Sequence, residues 1–443
     1  MRYHGLQSRQ GRTTTMGHLI RITLAGMLLA TLLGAAPMQR ARADGTPDSE
    51  PGQIVVKLAP LPGNDILGIN EAYGTTTLAA LFNHEDIFLL QAPPNADAEQ
   101  LVWLMASDPR LGYAELNYIN STPEDGSTDR IYGWGGQESS HFHGQNATTA
   151  LELSDAHAWS QGEGTLIAVL DTGVQLDHPK LVGSLDVRGF DFVDADPIPE
   201  DEANGADDDG DGQVDEMYGH GTHVAGIVHL VAPEALIMPV RILNSDGRGN
   251  NFRTANAILY AASTGADAIN LSLGVMHPSD LLRDAVAEAA RLGVVVVAAA
   301  GNLNSSVAQY PAADACAIAV TSVNVHDRKS SFANYGDWID LAAFGENIYS
   351  TFPTSGYAWA SGTSVAVPFV AGQAALLRSA NPELALDEMG LLIGGTARSV
   401  DRFNPLYRGL LGEGRIDILA SLEAQAAGSW LAPEHNLFAD CSR

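Results

Sequence analysis

Cysteine is almost missing, with Cys316 and Cys441 the only two in 443 residues. That excludes a disulfide-dense scaffold and any site built from several thiolates. Their separation along the chain leaves both a bridge and two free thiols open. Positive charge is scarce too, with 24 Lys and Arg against 53 Asp and Glu and a net charge of −29. So acidic a chain repels phosphate backbones, which argues against a nucleic-acid partner, and it favours a soluble monomer. A long apolar run is also lacking: residues 22–36 fall short of the roughly 20 residues that a spanning helix needs. That run follows Arg2, Arg9, Arg12 and Arg21 and precedes Ala41-Arg42-Ala43, so 1–43 reads as an export signal cut before Asp44 rather than as an anchor. The expected product is secreted or periplasmic and keeps no stable membrane insertion once the signal is removed.

What remains has the composition of a folded protein, with 45% hydrophobic and 17% charged residues. Residues 44–128 read as a small α+β unit. Strands are expected at 53–58, 86–91 and 113–119, and Leu101, Leu104 and Met105 mark a helix. Residues 120–130 have the polar, turn-rich composition of a linker. From 129 to 426 short apolar runs at 166–170, 268–272 and 294–298 alternate with helical patterns stopped by Gly265 and Gly293. That alternation predicts an α/β fold, a three-layer doubly wound parallel sheet. A tail, 427–443, is left over.

Three segments carry candidate chemistry. Asp171 follows an apolar strand in Asp171-Thr172-Gly173, where an open parallel sheet places functional groups. The tripeptide also matches aspartic peptidases, but those need two carboxylates sharing a proton, and no second such motif follows a strand here. His220 enters a helix between glycines in Gly219-His220-Gly221-Thr222-His223, and its intrinsic pKa suits a general base. His220 and His223 lack the four-residue spacing and the glutamate of the zinc helix motif, so His223 reads as a packed histidine. Ser364, in Gly362-Thr363-Ser364-Val365, opens a helix whose positive end favours developing negative charge. Each signal alone has a plainer reading as a turn, a packed ring or a cap.

Their order, Asp then His then Ser, is that of the subtilisin arrangement. Together the three segments resemble the subtilase family over about 280 residues. The resemblance implies a subtilisin-like serine endopeptidase acting on polypeptides, with Asp171, His220 and Ser364 as its triad. It also implies that Asn302, after 297–301, is an oxyanion donor. Loss of such a donor costs about 10²–10³ in rate, a figure measured on subtilisin itself rather than on this chain. Gly247 and Gly249 on one side, and Ser272, Leu273 and Gly274 on the other, resemble the family's cleft-lining segments. Val365, Val367, Phe369 and Phe344 replace residues common in the family, which bears on pocket walls rather than reaction type. Residues 108–117 resemble subtilase propeptides, so 44–128 is expected to be a ferredoxin-like inhibitory propeptide and the chain's own partner; a permanent accessory domain is the plainer alternative.

One acidic stretch stands apart, for residues 191–216 hold twelve carboxylates and no Lys or Arg. Asp207, Asp209, Asp211, Gln213 and Asp215 fall at odd positions of an EF-hand-like loop, which predicts bound calcium, although Tyr218 stands where the bidentate glutamate belongs. A solvated acidic loop is the plainer reading.

Overall fold

The computed structural model describes residues 48–124, 132–428, 437–438 and 441. The expected export signal, the end of the expected linker and most of the tail lie outside them.

Residues 49–121 run strand Ser49–Leu58, helix Ile66–Tyr73, strands Thr76–Ala80 and Ile87–Gln91, helix Ala98–Met105 and strand Leu111–Ser121. All strand pairs are antiparallel, with Ser49–Leu58 between Ile87–Gln91 and Leu111–Ser121, which is the split-βαβ ferredoxin-like arrangement. Asp65 and Asp97 start the two helices by accepting the N–H of Gly68 and Gln100. The sheet is buried on both faces. Ile54, Val56 and Leu90 turn towards the two helices with Ile69 and Met105, while Val55, Ile87 and Leu89 join a core with Phe252, Ile258, Leu281 and Leu282. Period-two alternation thus feeds two cores from one strand, each fully buried aliphatic side chain contributing roughly 1.5–3 kcal/mol.

The larger unit is built on seven strands in the order Leu341–Phe344, Ala317–Val323, Val295–Ala299, Ala268–Leu271, Leu166–Asp171, Leu236–Arg241, Phe190–Asp191. All six pairings are parallel. Ile167, Val169, Val295 and Val297 pack on the side of helices His220–Val231 and Val367–Ala380. Leu166, Ala168, Leu170 and Val296 face Asn251–Ser263 and Asp280–Arg291. Helices therefore cover both faces, the three layers expected of near-continuous apolar strands. The chain leaves Leu166–Asp171 for the strand on one side and later returns to the other, so Asp171 ends the strand at the switch point of the sheet.

The small unit also closes helices of the large one. Glu115 accepts the Asp280 N–H at 2.7 Å and the Ser279 hydroxyl at 2.6 Å, and the Asn117 carboxamide oxygen accepts the Phe252 N–H at 2.9 Å. Two helix N-termini of the larger unit thus have partners supplied by the strand Leu111–Ser121.

Two expectations need adjusting. Asn120 and Ser121, read as linker, continue the strand, because Arg248–Asn250 pairs with them from a distant part of the chain. Ser364 lies in the turn before its helix, which begins at Val367 with Pro368 in the first turn.

Cys316 and Cys441 form a disulfide that closes 125 residues. Leu437 and Phe438, beside Cys441, are buried in the same core as Met389. Replacing both cysteines by serine should cost about 2–4 kcal/mol. Denaturant unfolding checks this, and an unchanged midpoint would show that the packing alone holds the C-terminal segment.

Candidate active site

Asp171 is fully buried, and one oxygen accepts from the Thr172 N–H and from His220 Nδ1, both at 2.7 Å. His220 is the first residue of its helix, after Gly219, whose φ of 94° lets the chain turn sharply into it. A Cβ on Gly221 would stand 2.0 Å from the Gly173 carbonyl oxygen, so glycine is needed for the helix to approach the strand end this closely.

Asp201 ties these pieces together. Its buried carboxylate accepts from the N–H of Gly219 and Thr222, from the Thr222 hydroxyl at 2.6 Å and from the Thr172 hydroxyl at 3.3 Å. Burial raises its pKa to about 7 against the pull of those hydrogen bonds. In the sequence it was one of twelve acidic residues, with nothing local to set it apart.

Asn302 follows the strand Val295–Ala299. Its oxygen accepts the Thr363 N–H at 2.9 Å and the Thr363 hydroxyl at 3.0 Å, which aims its NH₂ into the cleft. Ser364 is buried, and its carbonyl accepts the Ser272 hydroxyl at 2.7 Å. Ser272 therefore braces Ser364, and Leu273 is wholly buried. The other three expected cleft residues meet the strand that ends the small unit. Thr122 N–H donates to Gly247 O at 3.0 Å, Asn120 lies opposite Gly249, and Ser121 and Gly274 exchange two backbone hydrogen bonds of 3.2 and 2.9 Å.

The residue that sequence reasoning missed altogether is Glu124, which had no feature beyond a place in a polar stretch. One of its carboxylate oxygens accepts from Ser364 Oγ at 2.5 Å and from Asn302 Nδ2 at 2.9 Å, and the other lies 3.6 Å from His220 Nε2. Burial lowers the pKa of His220, but Asp171 and Glu124 on either side outweigh it and raise the pKa to about 10. The imidazole is then a cation at neutral pH and has no lone pair with which to take a proton. His223 Nε2 donates to the Ala358 carbonyl at 3.2 Å, and burial, then His220, pushes its pKa down to about 3.

In the acidic loop, Asp207, Asp209 and Asp211 bring three carboxylates within 4.8 Å of one another. Asp215 instead turns to the backbone N–H groups of Asn204 and Gly205, and the Gln213 side chain donates to Asp211 at 3.0 Å. Arg248, on the cleft strand, lies 3.2 Å from Asp209 and so joins the loop to the cleft.

The subtilase family profile matches residues 162–414, and that of the fervidolysin N-terminal prodomain matches 35–117. Thermitase of Thermoactinomyces vulgaris is 45% identical over 55% of this chain and 88% of its own. A thermophilic serine proteinase of Bacillus sp. (strain AK1) is 40% identical over 64% of this chain and 67% of its own. Among solved structures, a protease of Pseudoalteromonas arctica PAMC 21717 has TM-score 0.56 and 31% identity, covering 62% of this chain and 94% of its own. Fervidolysin from Fervidobacterium pennivorans, at TM-score 0.68 and 22% identity, covers 86% of this chain and 62% of its own, and shares the fold.

Because the contact with Glu124 raises the His220 pKa, it is fully present below about pH 6.5 and is lost as pH rises through about 10. In a Ser364→Ala protein the His220 ring nitrogens, followed by NMR, should titrate near 10. Glu124→Gln should lower that value, and identical titrations would mean that Glu124 does not charge the ring.

Proposed function

Because the chain belongs to the subtilase family and carries a fervidolysin-like prodomain, we propose that it is an exported serine endopeptidase that removes its own prosegment. Residues 1–43 are the signal, 44–128 the inhibitory propeptide, 129–426 the catalytic domain and 427–443 a tail. The observation that carries this reading is the carboxylate of Glu124, which sits within hydrogen-bond reach of both Ser364 and Asn302. An anion there has the charge of the oxygen that develops when a serine attacks a peptide carbonyl. The disulfide supports passage through an oxidising compartment. Among the described residues no helix is long and apolar enough to cross a membrane.

With Glu124 withdrawn, His220 loses one of its two carboxylate neighbours and becomes free to accept the Ser364 proton through Nε2. Ser364 Oγ then attacks the carbonyl carbon of an extended substrate held between Gly247–Gly249 and Gly274. Asp171 fixes the Nδ1–H tautomer and stabilises the imidazolium. Asn302 donates to the tetrahedral oxygen, the imidazolium protonates the leaving amine, and water hydrolyses the acyl-enzyme. Expressed from residue 44 onwards, the parent should lose its N-terminal segment while Ser364→Ala stays full length, as read by mass spectrometry. An organophosphate reagent should then add to Ser364 of the trimmed parent. Equal trimming of both proteins, or an active parent that keeps the segment, defeats self-processing.

Calcium is the second part of the proposal. The donor set of Asp207, Asp209 and Asp211 is all oxygen, as calcium prefers, and nearby Glu216 has both carboxylate oxygens buried without a hydrogen-bond partner. A divalent cation would neutralise the loop and steady the approach to His220. Thorough chelation should lower both the melting temperature and the peptidase rate, and readded calcium should restore them. No change in either would leave the loop a solvated acidic surface.

A further inference from the structure

Basic residues are scarce in this chain, yet a lysine and three histidines gather near the far end of the helix that His220 begins. Imidazoles hold Lys180 from both ends: its backbone N–H donates to His178 Nδ1 and its ammonium donates to His143 Nε2, both at 3.2 Å. A nitrogen that accepts must keep its lone pair, so both rings are neutral. His178 is 1% exposed and donates through Nε2 to the Gly356 carbonyl at 3.1 Å, which leaves its ring no site for a second proton. His229, in the last turn of His220–Val231, meets the Ser184 hydroxyl through Nδ1 at 3.1 Å. Burial, then Lys180 and His143, pushes the His229 pKa down to about 4. Burial, then Lys180 and His157, lowers that of His143, and burial lowers those of His178 and Lys180. His157 itself donates to the Val231 carbonyl at 2.9 Å. Among the described residues no carboxylate acts on His143 or His229. Of the acids on the adjoining segments, Glu138 acts on His141, Asp177 accepts from Gln175 and acts on His178, and Asp155 is exposed.

We propose that Lys180 with His143, His178 and His229 is an acid-sensitive latch, which holds the helix His220–Val231 against segments 140–143 and 178–184 near neutral pH and releases it in acid. That release disables the peptidase is the part that rests on the reading above. A proton on His143 turns the acceptor of the Lys180 ammonium into a second cation. One on His178 expels the Lys180 N–H, and one on His229 adds a further charge with no anion to meet it. Because these imidazoles have lowered pKa values, the stability they allow is present above about pH 6.5 and is lost as pH falls towards 4. The helix has the catalytic imidazole as its first residue and this cluster in its last turn, so loosening one end loosens the other.

The test uses the full chain carrying Ser364→Ala, alone and with His229→Gln or Lys180→Met added. Denaturant unfolding is followed from pH 8 to pH 5. Over that range the unfolding constant of the parent should rise about tenfold more than that of His229→Gln, with a smaller difference for Lys180→Met. By NMR, the His229 ring of the parent should stay neutral to well below pH 6 and should titrate higher in Lys180→Met. Parallel unfolding curves for all three proteins overturn the latch, and so does a His229 ring that titrates near 6.5 in the parent, a readout that needs no variant to fold. With Ser364 intact, protein held at pH 5 and assayed at pH 8 should lose activity faster than His229→Gln. Equal losses would detach the latch from activity. If the unfolding curves diverge but neither protein cuts peptides, the peptidase reading falls and the latch stands.

Discussion

The 2.7 Å contact between Asp171 and His220 is the constraint around which the larger unit is organised. It joins the end of a central strand to the first residue of a helix, two places that only a parallel sheet with a switch point brings together. Holding them there requires a bare Gly221 against Gly173, a left-handed Gly219, and a buried Asp201 that gathers the Thr172 and Thr222 hydroxyls and the N–H groups of Gly219 and Thr222. None of these three touches a reacting atom. They fix the angle at which a ring faces the cleft, and small errors in such an angle are costly in catalysis.

Against this fixed pair, Glu124 works by electrostatics and geometry at once. Its two oxygens span hydroxyl, carboxamide and imidazole, so one side chain engages every polar group facing the cleft that the proposed mechanism needs. A backbone carbonyl in the same place would be open to attack. A side-chain carboxylate is a poor electrophile, which makes it a durable occupant of a nucleophile's site. The backbone pairing of residues 119–122 with both cleft walls brings Glu124 there, and the sheet of the small unit anchors that strand.

The sequence displayed some of this and hid the rest for physical reasons. Asp171, His220, Ser364 and Asn302 each stood at the end of a strand or the start of a helix, in short motifs whose glycines reflect close packing, and the fold brings them into one cleft. The strands themselves were readable from short apolar runs. Glu124, Asp201 and Asn120 carried no such mark, because what distinguishes each is a partner more than 15 residues away in the chain. The acidic loop shows the opposite error. Spacing placed Asp215 beside Asp207, but a left-handed backbone at Asp215, with φ 54°, accompanies a carboxylate turned towards Asn204 and Gly205. The pairing of Cys316 with Cys441 was likewise a matter of distance in space, which no count of residues supplies.

Glu115 and Asn117 have a further bearing on the larger unit. They supply partners for the N–H groups of Asp280 and Phe252, and the sheet face bearing Val55, Ile87 and Leu89 covers the apolar sides of the same helices. A catalytic unit parted from residues 48–124 must hand those N–H groups to water and expose that apolar surface. It is then a structure completed on a scaffold it no longer possesses, shallower in free energy than when it formed. How long it lasts becomes a question of the height of its unfolding barrier rather than of its equilibrium stability.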